Sequence, residues 1–303
     1  MDAIDLVKIN FSADQLILLN ICLAFLVFGV ALDVRMSDFK RVITQPKAVI
    51  TGLVCQLLLL PLLTVGMVYL FNPATSIALG MILIGVCPGG NVSNFAVHLS
   101  GANAALSVTL TSVVTLAAIV ITPVAFYFWS GFVPSVDSLP QNLEVNPAQM
   151  FKTIFILMVT PLTIGMLLNS RFEKFTDKIK RPVRILSILI FMSFVVLATL
   201  GNYNNIVDHV YHVFWIVLLH NSIALAMGYL VARSVRLSKY DARAISIETG
   251  IQNTGLGLIL VFNFFDGLGG MAFITAWWGI WHLVSAFTLA IFWARTQSKH
   301  IAA

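Results

Sequence analysis

The sequence predicts an all-α polytopic membrane protein. Of its 303 residues, 59% are hydrophobic and only 10% are charged, where a soluble globular domain carries about 25% charged residues. Nine segments are apolar enough, and roughly 20 residues long, to cross a ~30 Å hydrocarbon core at 1.5 Å per residue. The basic residues cluster on alternate connections, as they do in a chain threaded back and forth through a bilayer. No polar stretch is long enough for a separate soluble domain, so residues 1–303 read as one membrane unit.

The first segment spans about residues 15–34. It is too long for the apolar region of a signal peptide, and Asp2, Asp5 and Asp14 stand where such a leader needs positive charge. The remaining segments run approximately over 48–70, 76–99, 104–129, 150–169, 184–202, 212–233, 242–265 and 271–294. The connection after the first carries Arg35, Lys40, Arg41 and Lys47. The one after the fifth carries Arg171, Lys174, Lys178, Lys180, Arg181 and Arg184. The one after the seventh carries Arg233, Arg236, Lys239 and Arg243, and the C-terminus adds Arg295 and Lys299. These are 16 of the 18 basic residues, all on one side; only Lys8 and Lys152 face the other. The N-terminus is therefore predicted outside and the C-terminus in the cytoplasm, in a cell's inner (plasma) membrane. The net charge is +5, but its basic residues sit in short clusters between apolar segments, and no nucleic-acid partner is expected. Cys22, Cys55 and Cys87 lie inside apolar segments without metal-ligand spacing and read as small packing residues.

Two segments are interrupted. The third contains GVCPGGNVSNFAVHL, residues 85–99, and the eighth AISIETGIQNTGLGLIL, residues 244–260. Pro88 removes a backbone donor, Gly89 and Gly90 lower the cost of leaving the helix, and Gly250, Gly255 and Gly257 bracket Gln252, Asn253 and Thr254. Kinks are common in membrane helices, but unwound backbone at membrane depth needs a protein or wet-cavity lining. Segments one to four and six to nine form two blocks that begin on opposite sides, with the interrupted segment third in each. Matched interruptions of this kind mark the binding site of an inverted-repeat transporter.

Glu248 is the only carboxylate well inside a span. A central acidic residue costs about 2.5–3.5 kcal/mol and needs a partner. No Lys or Arg lies at that depth, which leaves a cation or a proton. Ser93, Asn94, Gln56 and Gln252, with Ser107 and Thr111 one turn apart on one helix face, offer the oxygens a hard cation wants. The half-helices beginning near Gly90–Asn91 and Asn253–Gly255 aim unsatisfied N–H groups at the cavity, a site for an anion. No nucleophile–base pair and no zinc motif suggests an enzyme.

The stretches CPGGNVSN, GANAALSVTLTSVVTL, LHNSIALAMGYL and YDARAISIETGIQNTGL closely resemble the bile acid:sodium symporter family, over nearly the whole chain from about Leu18. The resemblance implies inverted five-helix repeats in which two discontinuous helices cross. It implies a core domain of about 48–129 and 212–294 and a panel domain of about 15–34 and 150–202. It also implies two Na⁺ ions: one held by Ser93, Asn94, Ser107, Thr111 and Glu248, the second by Gln56, Glu248, Thr249, Ile251 and Gln252. Thr249 and Ile251 would act through their carbonyls. Substrate-facing positions fall on Gly90, Asn91, Asn253 and His282. Asn91 replaces a threonine frequent in bacterial relatives, and Leu283 an asparagine present in some; both departures lie on the substrate side. His220 reads as a structural hydrogen-bond partner. The expectation is a monomeric symporter of an organic anion, a bile acid or a small pantoate-like acid. Proton coupling through Glu248, and a channel or membrane sensor, are the alternatives.

Overall fold

The computed structural model describes residues 3–7, 13–32, 42–90, 92–134, 147–201 and 203–301. Among these the structure is helical throughout, with no strand beyond one isolated bridge between Gly89 and Gln252. After a 3₁₀ turn (Ala3–Leu6) come α1 (Ala13–Ala31), α2 (Pro46–Phe71), α3 (Thr75–Val86), α4 (Val92–Leu99) and α5 (Ala104–Ser130). Then follow α6 (Pro147–Ile154, Phe155–Val159 and Thr160–Arg171), α7 (Glu173–Gly201), α8 (Tyr203–Ser234), α9 (Lys239–Gly250), α10 (Thr254–Phe264) and α11 (Gly269–Ile301). Five stretches are long and apolar enough to cross a bilayer: Pro46–Phe71, Ala104–Ser130, Ala148–Arg171, Val213–Ser234 and Gly269–Thr296. The protein is a polytopic helical membrane protein.

Both expected interruptions are real. The third apolar segment divides into α3 and α4, the eighth into α9 and α10. Two boundaries differ from expectation. The helix of the sixth apolar segment, α7, begins at Glu173 and that of the seventh, α8, at Tyr203, each well before its apolar stretch. Hydropathy marks the lipid-buried length of a helix, while the helix itself runs on through residues such as Lys174 and Lys178 that favour the conformation.

α2 and α6 each contain a π-helical turn, Cys55–Leu59 and Phe155–Val159, ending two residues before a proline, Pro61 or Pro161. A proline inside a helix has no N–H to donate and its ring presses on the carbonyl four residues back. Widening the preceding turn relieves that clash and leaves the helix continuous.

α1, α6 and α7 pack on one another, while α8 packs on α9 and α11, and α3 on α11. The buried apolar side chains form two clusters. One contains Leu83, Val86, Leu256, Ile259 and Trp278; the other contains Val97, Leu110, Ile245, Ile247 and Ile251. At each interruption the chain leaves one cluster and enters the other, so the polar residues of both breaks lie between them. On one face of the molecule, the Asp5 carboxylate accepts from the Ser76 N–H (2.9 Å) and the Val7 carbonyl from the Gly269 N–H (2.8 Å). The 3₁₀ segment thereby caps the starts of α3 and α11.

Candidate functional site

The two breaks meet in antiparallel register. Asn253 N–H donates to the Pro88 carbonyl (2.8 Å) and Gly90 N–H to the Ile251 carbonyl (3.2 Å). Unwinding releases backbone groups that a membrane cannot solvate, and here each break supplies the other's partners. Ile251 is extended (φ −102°, ψ 118°), which turns its carbonyl away from the direction of α9.

The glycines allow close approach here. Gly89 and Gly90 do not have positive φ. A Cβ on Gly89 would lie 3.0 Å from Gln56 Nε2 and 3.2 Å from Glu248 Oε2. On Gly250 it would lie 2.4 Å from Leu225 Cδ2. The expected role, relief of backbone strain, gives way to the need for space.

A second anchor sets the depth of the site. Asn103 caps α5 by accepting from Leu106 N–H (3.0 Å), and its amide donates to Asp241 Oδ1 (2.7 Å) at the start of α9. Ser238 caps α9. The starts of α5 and α9 are thus tied at one point. Ser107 and Thr111 lie one and two turns along α5, and Glu248 two turns along α9.

Glu248 is fully buried. Its Oε1 accepts from Ser93 Oγ (2.5 Å), from Ser107 Oγ at shorter range, and from Thr111 Oγ1 (3.2 Å). Thr111 Oγ1 is also 3.0 Å from Oε2. Asn94 Oδ1 takes Ser107 Oγ (2.7 Å) and Thr111 Oγ1 (3.3 Å). These are six oxygen–oxygen contacts, served by the three hydroxyl protons of Ser93, Ser107 and Thr111. The surplus of negative oxygen density is what a hard cation neutralises. The structure brings together all five residues expected at the first ion position.

The residues expected at the second position also converge. Gln56, on the π turn of α2, donates to the Glu248 carbonyl (2.7 Å), and Gln252 donates to the Thr249 carbonyl (2.8 Å). Gln56 Oε1 and Gln252 Oε1 are buried and have no hydrogen-bond partner. An unpaired buried acceptor costs about 1–3 kcal/mol, and a cation would satisfy both. The Thr249 and Ile251 carbonyls each accept one bond and keep a second lone pair.

The expected substrate positions are more dispersed. Gly90 and Asn253 are at the crossover, but Gly90 N–H is engaged by Ile251, and Asn253 Oδ1 caps α10 by accepting from Leu256 N–H (3.0 Å). His282 is buried on α11 with Nδ1 unpartnered. Asn91 lies outside the described residues. His220 has the structural role expected of it: Nε2 is 2.9 Å from Thr64 Oγ1, and the ring meets Trp278 edge to face.

Sequence reasoning passed over Asn221. It is fully buried, donates to the Gly250 carbonyl (2.7 Å) and accepts from Ser285 Oγ (2.5 Å). An amide in the middle of the apolar run LLHNSIAL was the available signal.

Two crossing broken helices around a buried carboxylate define a multi-pass membrane protein with an interior oxygen-lined site. Residues 20–209 match the model of the sodium bile acid symporter family, and the chain belongs to that family. It is 31% identical to the uncharacterized sodium-dependent transporter YocS of Bacillus subtilis, over 93% of this chain and 84% of that one. It is 28% identical to the human ileal sodium/bile acid cotransporter, over 78% and 67%. To a probable chloroplastic sodium/metabolite cotransporter of rice, BASS2, it is 29% identical, over 82% of this chain and 57% of the relative.

Proposed function

We propose that the protein is a sodium-coupled symporter that takes up an organic anion by alternating access. The observation that carries this reading is the oxygen cluster around Glu248, whose six close oxygen–oxygen contacts outnumber the three hydroxyl protons that can serve them. One Na⁺ binds among Ser93, Asn94, Ser107, Thr111 and Glu248. A second binds among Gln56, Glu248, Thr249, Ile251 and Gln252. Both use Glu248 and draw the two breaks together, which orients Gly90, Asn91, Asn253 and His282 toward a bile-acid-like or small carboxylate substrate. The chain crosses the plasma membrane nine times as an inverted repeat, N-terminus outside, and works as a monomer without enzymatic activity. The mutual packing of α1, α6 and α7 supports their moving as a panel against a core of the remaining helices.

Two Na⁺ with one monoanion carry one net charge inward. That charge is worth ~2.3 kcal/mol per 100 mV, or about 40-fold accumulation at ~1.4 kcal/mol per decade. The test is uptake of labelled bile acids and small carboxylates into proteoliposomes under an inward sodium gradient. Sodium-driven uptake that rises with an inside-negative potential is expected. Equal uptake with choline replacing sodium at fixed potential would overturn the proposal.

A further inference from the structure

We infer that Asn221 is a positioning residue: it sets the direction of the backbone carbonyls at the α9–α10 break and ties that break to α11. The inference rests on the sodium reading given above.

The last four carbonyls of a helix lack intrahelical partners. On α9, Ile247 O accepts from Ile251 N–H, while Glu248 O, Thr249 O and Gly250 O accept from side-chain amides. Two of those amides, Gln56 and Gln252, belong to the proposed ion ligands. Asn221 is the third, and it stands on a different helix, α8. It holds the Gly250 carbonyl, which lies between the carbonyls of Thr249 and Ile251. Successive carbonyls point to opposite sides of extended backbone, and Ile251 is extended. Pinning the Gly250 carbonyl toward α8 therefore leaves the Ile251 carbonyl facing the other way, where it meets Gly90 N–H.

The other end of Asn221 is fixed as well. Its Oδ1 accepts from Ser285 Oγ, which also contacts the His282 carbonyl at 3.2 Å. A continuous chain thus runs from Gly250 through Asn221 and Ser285 to the backbone of His282. The neighbouring His220 bonds to Thr64 on α2 and packs on Trp278, so the backbone carrying Asn221 is itself held. With both amide ends engaged and no exposure, the side chain has one orientation available. A shift of α11 is then transmitted to the break that carries the ion ligands.

The test is sodium titration of thermal melting in the purified full-length protein, with choline chloride holding ionic strength. Wild type, N221A, N221S and S285A are compared. A purely structural role lowers the melting temperature equally with and without sodium. A positioning role raises the half-saturating sodium concentration and shrinks the sodium-induced shift. One net hydrogen bond is worth up to about tenfold in affinity, so about three- to tenfold is expected for N221A and N221S. S285A leaves the donor but frees its orientation, so about two- to threefold is expected. If the Asn221 variants do not fold, S285A alone decides. Wild-type half-saturation in every folded variant overturns the inference. Absence of any sodium-induced shift in wild type would instead defeat the sodium reading.

Discussion

Replacing Glu248 with glutamine separates charge from shape. Oε1 can still accept from Ser93, Ser107 and Thr111, and an amide at the Oε2 position can donate to the Thr111 oxygen 3.0 Å away. The variant should fold. What disappears is one full negative charge with no exposure to solvent. At an effective dielectric near 20, a cation about 4 Å away gains about 4 kcal/mol from that charge. This is roughly a thousandfold in sodium affinity at ~1.4 kcal/mol per decade. The same substitution removes an uncompensated buried charge from the ion-free protein. In sodium-free buffer E248Q should therefore melt higher than wild type, while its sodium-induced shift should vanish over any practical salt range. The assay is melting of detergent-solubilised protein against sodium, with choline balancing ionic strength. A sodium shift in E248Q with half-saturation within about threefold of wild type would refute the reasoning and remove the carboxylate from ion binding.

Three further outcomes follow from local geometry. Gly89→Ala places a methyl 3.0 Å from Gln56 Nε2 and 3.2 Å from Glu248 Oε2; half-saturating sodium should rise by about tenfold or more, the value of one lost charge-assisted contact, and an unchanged titration would contradict this. Gly80→Ala drives a Cβ to 2.3 Å from Ile274 Cγ2 and 2.8 Å from Met271 Cα at the α3–α11 contact; overpacking should destabilise the protein by about 1–3 kcal/mol, seen as a lower melting temperature or loss of folded yield. Thr64→Val strips His220 Nε2 of its partner and should destabilise by about 1–3 kcal/mol, with a smaller rise in half-saturating sodium than N221A gives in the same titration, because Trp278 still holds the His220 ring.

The parts of this architecture that local chemistry dictates were legible in the sequence. Pro88, with its missing donor, announced one break, and the polar run Gln252–Thr254 the other. Ser107 and Thr111 shared a helix face by their spacing alone. Glu248 stood out because nothing near it in the chain could neutralise it. What escaped depends on pairs of distant residues. The capping of α3 by Asp5 needs a partner about 70 residues away. The role of Asn221 becomes visible only once α8 is laid against α9. The π turns before Pro61 and Pro161 are the exception: they are local, but a proline in the sequence does not say whether its helix bends, breaks or widens to accommodate it. The reason for Gly89 also emerged only with Gln56 and Glu248 in place, since the residue reads as flexible in one dimension and as narrow in three.

The pairing of the two breaks sets an order of events during biosynthesis. The Pro88 carbonyl and the Gly90 N–H find their partners in Asn253 and Ile251, roughly 160 residues further along the chain. At about 5–20 residues per second, the first break waits some 8–30 seconds for its complement to be made. Throughout that interval the nascent first half carries unwound backbone with nowhere apolar to go. It must stay hydrated, or sheltered by the insertion machinery, until α9 and α10 arrive. The clasp that closes the finished molecule thus forms only after most of the chain has been made, and neither half of the chain has a complete interior without the other.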